Sequence, residues 1–254
     1  MQLNYKVFGS GEPLIILHGL LGSLDNWQSL AKKYAEHFTV FIVDLRNHGK
    51  SPHSDKFSYE DMVEDLREFC ETNYIFNCHL LGHSMGGKVA MQFAINYPAY
   101  IDKLIIADIA PVRYEPGHNE IFEALRKVDL SLIKKREEVD QILQEKISNY
   151  DVRQFLMKGL TRGEENKFEW KFNLTAIWKN YQNILSTFEA SEPFEKPSLF
   201  ISGGNSSYVN TSKYDVINHY FPNNSKEVIE NVGHWLHAES PKIFYEKTFN
   251  FLSS

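Results

Sequence analysis

The run Gly82-His83-Ser84-Met85-Gly86-Gly87 constrains this 254-residue chain more than any other. An apolar stretch at 78–81 precedes it, and a helical pattern at 85–97 follows. A serine flanked by glycines between strand and helix describes a sharp turn. Two backbones pass closely there, and the hydroxyl stands clear above the sheet. Such a serine is placed to act as a nucleophile. The segment from Gly82 to Lys88 also spells Gly-x-x-x-x-Gly-Lys, most of a phosphate-binding loop. The next residue is Val89, where that loop needs a Ser or Thr to ligate Mg²⁺. The phosphate reading therefore fails, and Lys88 is expected to be an ordinary residue of the first helical turns.

Short apolar runs at 14–17, 39–45, 79–81, 103–109 and 198–202 read as buried parallel strands, which are hydrophobic throughout. A last run, 226–232, alternates more. Helical patterns at 25–37, 85–97, 212–220 and 241–252 lie between or after them. The clearest places Tyr59, Met62, Val63, Leu66, Phe69 and Cys70 on one apolar stripe. Strands alternating with helices imply the α/β class, with a doubly wound and mostly parallel sheet.

Between 111 and 193 the alternation stops. No strand of this kind is expected there, and helical stretches at 120–128, 131–147, 152–160 and 174–188 replace it. The expected organisation is a core of residues 1–110 and 194–254 carrying a helical cap at 111–193. The cap would lie over the carboxyl ends of the strands, where open α/β sheets bind ligands. Its aromatics, Phe155, Trp170 and Trp178 among them, are candidates to line a substrate pocket. The other reading is that they hold the insertion to the core.

A nucleophilic serine needs a base, and histidine is the usual one. On a sheet of this kind the order along the chain is serine, acid, histidine. Of the ten histidines only His118, His219, His234 and His237 follow Ser84. His234 alone stands in a loop directly after a strand, in Gly233-His234-Trp235. The acid is less obvious. The loop after 198–202 reads Gly203-Gly204-Asn205-Ser206-Ser207 and has no carboxylate. Asp108 ends the preceding strand on the correct side, and is preferred to Asp102 and Asp215. His18-Gly19-Leu20-Leu21-Gly22 follows the strand at 14–17. It predicts an oxyanion hole from the backbone N–H groups of Leu20 and Met85. Asp44 and Arg46, at the end of the strand at 39–45, are expected to fix a loop beside the site.

Composition narrows the function further. The net charge of -6 lacks the basic footprint of a nucleic-acid binder. Two cysteines, Cys70 and Cys78, without a Cys-x-x-Cys pair suit neither a disulfide framework nor a zinc site. His234 with His237 lacks a third metal ligand. No apolar run is long enough to span a bilayer, and the amino-terminal residues show no signal-peptide pattern. A cytoplasmic protein without cofactor or metal is expected.

The chain resembles the α/β-hydrolase superfamily from end to end, and more narrowly the YbfF-type bacterial esterases. The segments that carry the resemblance are HGLLGSLDNW (18–27), DLRNHGKS (44–51), GHSMGGKVAM (82–91), DKLIIADIAPV (102–112), WKFN (170–173), GGNSSYV (203–209) and GHWLHAE (233–239). The resemblance implies a Ser84–Asp108–His234 triad, with the acid displaced to the earlier strand. It also implies small-molecule substrates, carboxylic esters or acyl thioesters of the acyl-CoA kind. A serine at position 84 argues against dehalogenases and epoxide hydrolases, which use Asp. A carbon–carbon hydrolase or lyase with the same triad, and a ligand-binding non-enzyme on this fold, are the rival readings.

Overall fold

The computed structural model describes residues 1–163, 166–187, 190 and 192–254. The chain begins with β1 (Tyr5–Phe8), β2 (Glu12–Leu17), a 3₁₀ turn (Leu24–Trp27), α1 (Gln28–Tyr34) and β3 (Phe38–Val43). It continues with α2 (Tyr59–Thr72), β4 (Cys78–His83), α3 (Met85–Asn96) and β5 (Ile101–Ala107). Then come α4 (Asn119–Lys127), α5 (Arg136–Gln144), α6 (Tyr150–Lys158), β6 (Leu160–Arg162), β7 (Phe168–Trp170), α7 (Leu174–Lys179) and α8 (Tyr181–Leu185). It closes with β8 (Ser198–Gly203), α9 (Tyr214–Tyr220), β9 (Asn224–Ile229), α10 (Leu236–Glu239) and α11 (Pro241–Ser253).

Seven strands form one sheet in the order β1-β3-β2-β4-β5-β8-β9. All pair in parallel except β1, which lies antiparallel on β3 at the edge. Side chains alternate between faces along each strand. In β2, Ile15 and Leu17 join a core with α2 and α3, while Leu14 and Ile16 join a second core with α1 and α11. Both faces are thus covered, which is why β2 reads as a continuous apolar run. Ser58 caps α2 by accepting the Asp61 N–H at 3.2 Å, and Glu60 and Asp61 complement the positive end of the helix dipole.

Two expectations need correction. The segment between β5 and β8 is not wholly helical, because β6 and β7 pair as a short antiparallel hairpin. Three-residue strands are too short to show a period. The helix expected at 174–188 is two helices meeting at Asn180, and Phe188 lies outside the described residues. The edge strand β1 was also invisible to a search for apolar runs, since its residues are largely exposed.

Candidate active site

Ser84 joins β4 to α3 with φ 53° and ψ -119°. Such backbone costs a residue other than glycine on the order of 1–3 kcal/mol. Two glycines make the turn possible. A Cβ on Gly82 would stand 2.3 Å from the Gly86 carbonyl oxygen, and one on Gly86 would stand 2.5 Å from that of His18. The turn is pinned from both sides: the Ser84 N–H donates to the Ala107 carbonyl at 3.0 Å, and the Lys88 N–H to the Ser84 carbonyl at 3.1 Å.

The Ser84 hydroxyl donates to His234 Nε2 at 3.0 Å, and His234 Nδ1–H donates to Asp108 Oδ2 at 2.6 Å. With its Nδ1 proton on a carboxylate, the ring leaves Nε2 free to accept, the tautomer a base requires. Asp108 follows β5 directly and is fully buried, with φ 52°. Its N–H continues the β5–β8 pairing to the Ile201 carbonyl at 2.9 Å. Its carboxylate accepts the Gly203 N–H at 3.2 Å and the Ser206 hydroxyl. A buried anion is tolerated only when its lone pairs are satisfied in this way.

Other groups hold the imidazole. Tyr208 stacks on His234 with ring centroids 4.0 Å apart and planes at 20°. His83 donates from Nε2 to the His234 carbonyl at 2.8 Å. Burial, and then the neighbouring imidazoles of His237 and His234, hold the pKa of His83 well below the ordinary histidine range, so it is neutral. Ser206 and Tyr208 escaped the sequence reading because a hydroxyl and a phenol in a loop carry no chemistry by pattern. The signal available was the run GGNSSYV after β8, in the place where a carboxylate was sought.

The His18–Gly22 loop faces Ser84 from the end of β2. Buried His18 donates from Nδ1 to the Gly19 carbonyl at 2.8 Å and accepts the Leu45 N–H at Nε2, 3.0 Å away. His48 accepts the Leu21 N–H at 3.1 Å. Among the described residues, neither the Leu20 N–H nor the Met85 N–H has an acceptor. Asp44 accepts the N–H groups of Leu24 at 2.7 Å and Lys50 at 2.9 Å, whereas Arg46 pairs with Asp65 through bonds of 2.6 and 2.9 Å. Both residues therefore brace this side of the site.

Two lobes of one cavity meet at Ser84. The larger, about 400 Å³, is lined by Tyr59, Met85, Lys88, Tyr114, Ile184 and Leu185. The smaller, about 200 Å³, is lined by Leu21, Phe155, Leu156, His234 and Trp235. Leu20, Ser84, His118 and Tyr208 face both. Phe155 thus lines this cavity, packed on Trp235 with centroids 5.4 Å apart. Trp170 and Trp178 do not. Trp170 stacks on Phe172 at 5.2 Å and lines a separate cavity beside Asp25 and Lys50. Trp178 packs against Phe122 at 5.1 Å, beneath the Arg126 guanidinium. Residue type alone cannot say which face of a short element is turned inward. Lys88 is not an ordinary helix residue either: it is buried and lines the larger lobe. Among the described residues, no group of three His, Cys, Asp or Glu side chains could hold a metal ion. No helix there is long and apolar enough to cross a membrane.

A family model for the alpha/beta hydrolase fold matches residues 12–136. A putative esterase/lipase of Haemophilus influenzae is 39% identical over 94% of this chain and 83% of its own length. Esterase YbfF of Escherichia coli is 37% identical over 91% of this chain and 89% of its own. The solved structure of a marine microorganism esterase superposes with a TM-score of 0.96 at 43% identity, covering 98% of this chain and 99% of that one. Sequence, fold and the serine turn agree: the chain belongs to the α/β-hydrolase family.

Proposed function

We propose that the chain hydrolyses carboxylic esters and acyl thioesters through an acyl-enzyme formed on Ser84, with His234 as base and Asp108 as its orienting anion. The observation that carries this reading is the unbroken hydrogen-bonded line from Asp108 through His234 to Ser84. His234 takes the hydroxyl proton as Ser84 Oγ attacks the carbonyl carbon. The Leu20 and Met85 N–H groups receive the oxyanion. His234 then returns the proton to the leaving oxygen or sulfur, and water releases the acid by the same steps. Relatives named as esterases favour this over carbon–carbon cleavage or ligand binding without chemistry.

In this reading residues 111–193 form a cap that closes both lobes. The leaving group must lie beside His234 to receive its proton, so the smaller lobe takes it and the larger lobe takes the acyl chain. A cytoplasmic location belongs to the same proposal, and the unpaired, buried thiols of Cys70 and Cys78 suit it.

The test is a panel of p-nitrophenyl esters and acyl-CoAs of increasing chain length, run beside Ser84→Ala. Turnover of neither class by the wild type would refute the reading. Leu185→Ala is expected to shift the ranking of acyl lengths, while Trp178→Ala leaves it unchanged. An apolar contact is worth about 1–3 kcal/mol, so the shift should be roughly 10–200-fold at most. A ranking that follows Trp178 and ignores Leu185 would show that the acyl chain lies elsewhere. Turnover is also expected to survive EDTA, since every step uses only groups of this chain and water. Loss on chelation, restored by zinc, would contradict that.

A further inference from the structure

Lys88 is the one feature of the acyl lobe that simple ester hydrolysis leaves unexplained. It lies one helical turn beyond Ser84 on α3, and only 1% of it is exposed. Its ammonium donates to the Val112 carbonyl at 2.7 Å and to the Ser186 carbonyl, with the Leu185 carbonyl 3.5 Å away. The rings of Tyr59 and Tyr114 flank it, at 5.6 and 4.9 Å from their centroids. These contacts fix the position of the charge and solvate it, but none of them neutralises it. Among the described residues no carboxylate pairs with it. Glu115, which lines the same lobe, is exposed and makes no ion pair with it. A buried cation with no counter-charge among the described residues is costly, and this one lines a cavity of about 400 Å³ that opens on the nucleophile.

We propose that the larger lobe selects acyl groups that end in a carboxylate, the half-esters and half-thioesters of dicarboxylic acids, and that Lys88 is the specificity-determining residue that pairs with that carboxylate. This rests on the assignment of Ser84 as nucleophile and of the larger lobe as the acyl site. Two of the three ammonium protons are held by close carbonyls. The remaining contact, to the Leu185 carbonyl at 3.5 Å, lies at the outer limit of a hydrogen bond, so the third proton is free to turn to an incoming carboxylate. Burial draws the pKa of Lys88 down to about 7, and a carboxylate at contact distance opposes that shift. Tyr114, whose ring flanks the ammonium, and Ser207 also line the lobe and add hydroxyl groups to it.

The test compares monoethyl esters of glutaric, adipic and pimelic acids with ethyl esters of the monocarboxylic acids of equal length, followed by acid release in a pH-stat. The ratio of kcat/KM, charged over neutral, is read within each protein. The wild type should prefer the charged ester roughly tenfold at its best length, with the difference carried mainly by KM. Lys88→Met should bring the ratio to one or below, and Lys88→Arg should keep it above one. A wild-type ratio at or below one at every length overturns the proposal, as does a Lys88→Met enzyme that keeps the preference. If Lys88→Met does not fold, the wild-type series and Lys88→Arg still decide. Turnover of the neutral esters without charge preference sinks this proposal alone. Turnover of no ester in either series sinks the assignment of Ser84 with it.

Discussion

Ser84→Ala should abolish covalent labelling by a fluorophosphonate probe and lower ester turnover by roughly 10⁴–10⁶-fold, the range seen when a triad nucleophile is removed. The fold should survive. Ser84 is held in its turn by its backbone, through the Ala107 carbonyl and the Lys88 N–H, and its hydroxyl bonds only to His234 among the described residues. Alanine meets the same positive φ as serine and loses no packing. A circular-dichroism spectrum and melting curve close to wild type would confirm that the lost activity is chemical. His234→Ala should label weakly, since the hydroxyl remains but its proton has no acceptor. A Ser84→Ala protein that still labels would place the nucleophile elsewhere and end the mechanism proposed here.

Asp108→Asn should retain the fold and lose about 10⁴-fold in turnover at neutral pH, by analogy with other triads. The amide is nearly isosteric, and its oxygen can still accept the Gly203 N–H. Its NH₂ cannot accept the hydrogen bond from His234 Nδ1–H and instead donates one to Nδ1. The ring must then carry its proton on Nε2, facing Ser84, and can no longer take the hydroxyl proton. Asp215 offers the control: it is exposed in the first turn of α9, so Asp215→Asn should turn over near the wild-type rate. Asp102 stands near the start of β5, where it accepts from Asn77 at 2.5 Å, at the opposite end of the strand from Ser84. An active Asp108→Asn with a crippled Asp215→Asn would show the acid to be misassigned while leaving Ser84 and His234 in place.

What the sequence determined by itself is local. The turn at Ser84 needs small residues where backbones approach, so its glycines are written at fixed spacing around the serine. The central strands are covered on both faces and appear as unbroken apolar runs between helical patterns. From these the α/β class was legible, and so were the serine and the histidine after the last strand that the fold brings into hydrogen-bond contact. Asp108, the acid proposed here, was reached only by elimination. The loop after β8 carries no carboxylate, but that it supplies Ser206 to Asp108 depends on β5 and β8 lying side by side, residues apart by nearly a hundred in the chain.

Which side chains line the pocket was decided by tertiary structure alone. Phe155, Trp170 and Trp178 are equally apolar, yet only Phe155 reaches the cavity, because the direction of a side chain follows from how its short helix or strand packs. Lys88 reads in sequence as a surface lysine in a new helix. Folding buries it because residues far apart in the chain, Val112 and Ser186, bring their carbonyls onto its ammonium. Local pattern carries what the backbone needs over a few residues. Which side chains share a cavity is set by contacts between distant segments, and those exist only once the sheet has formed.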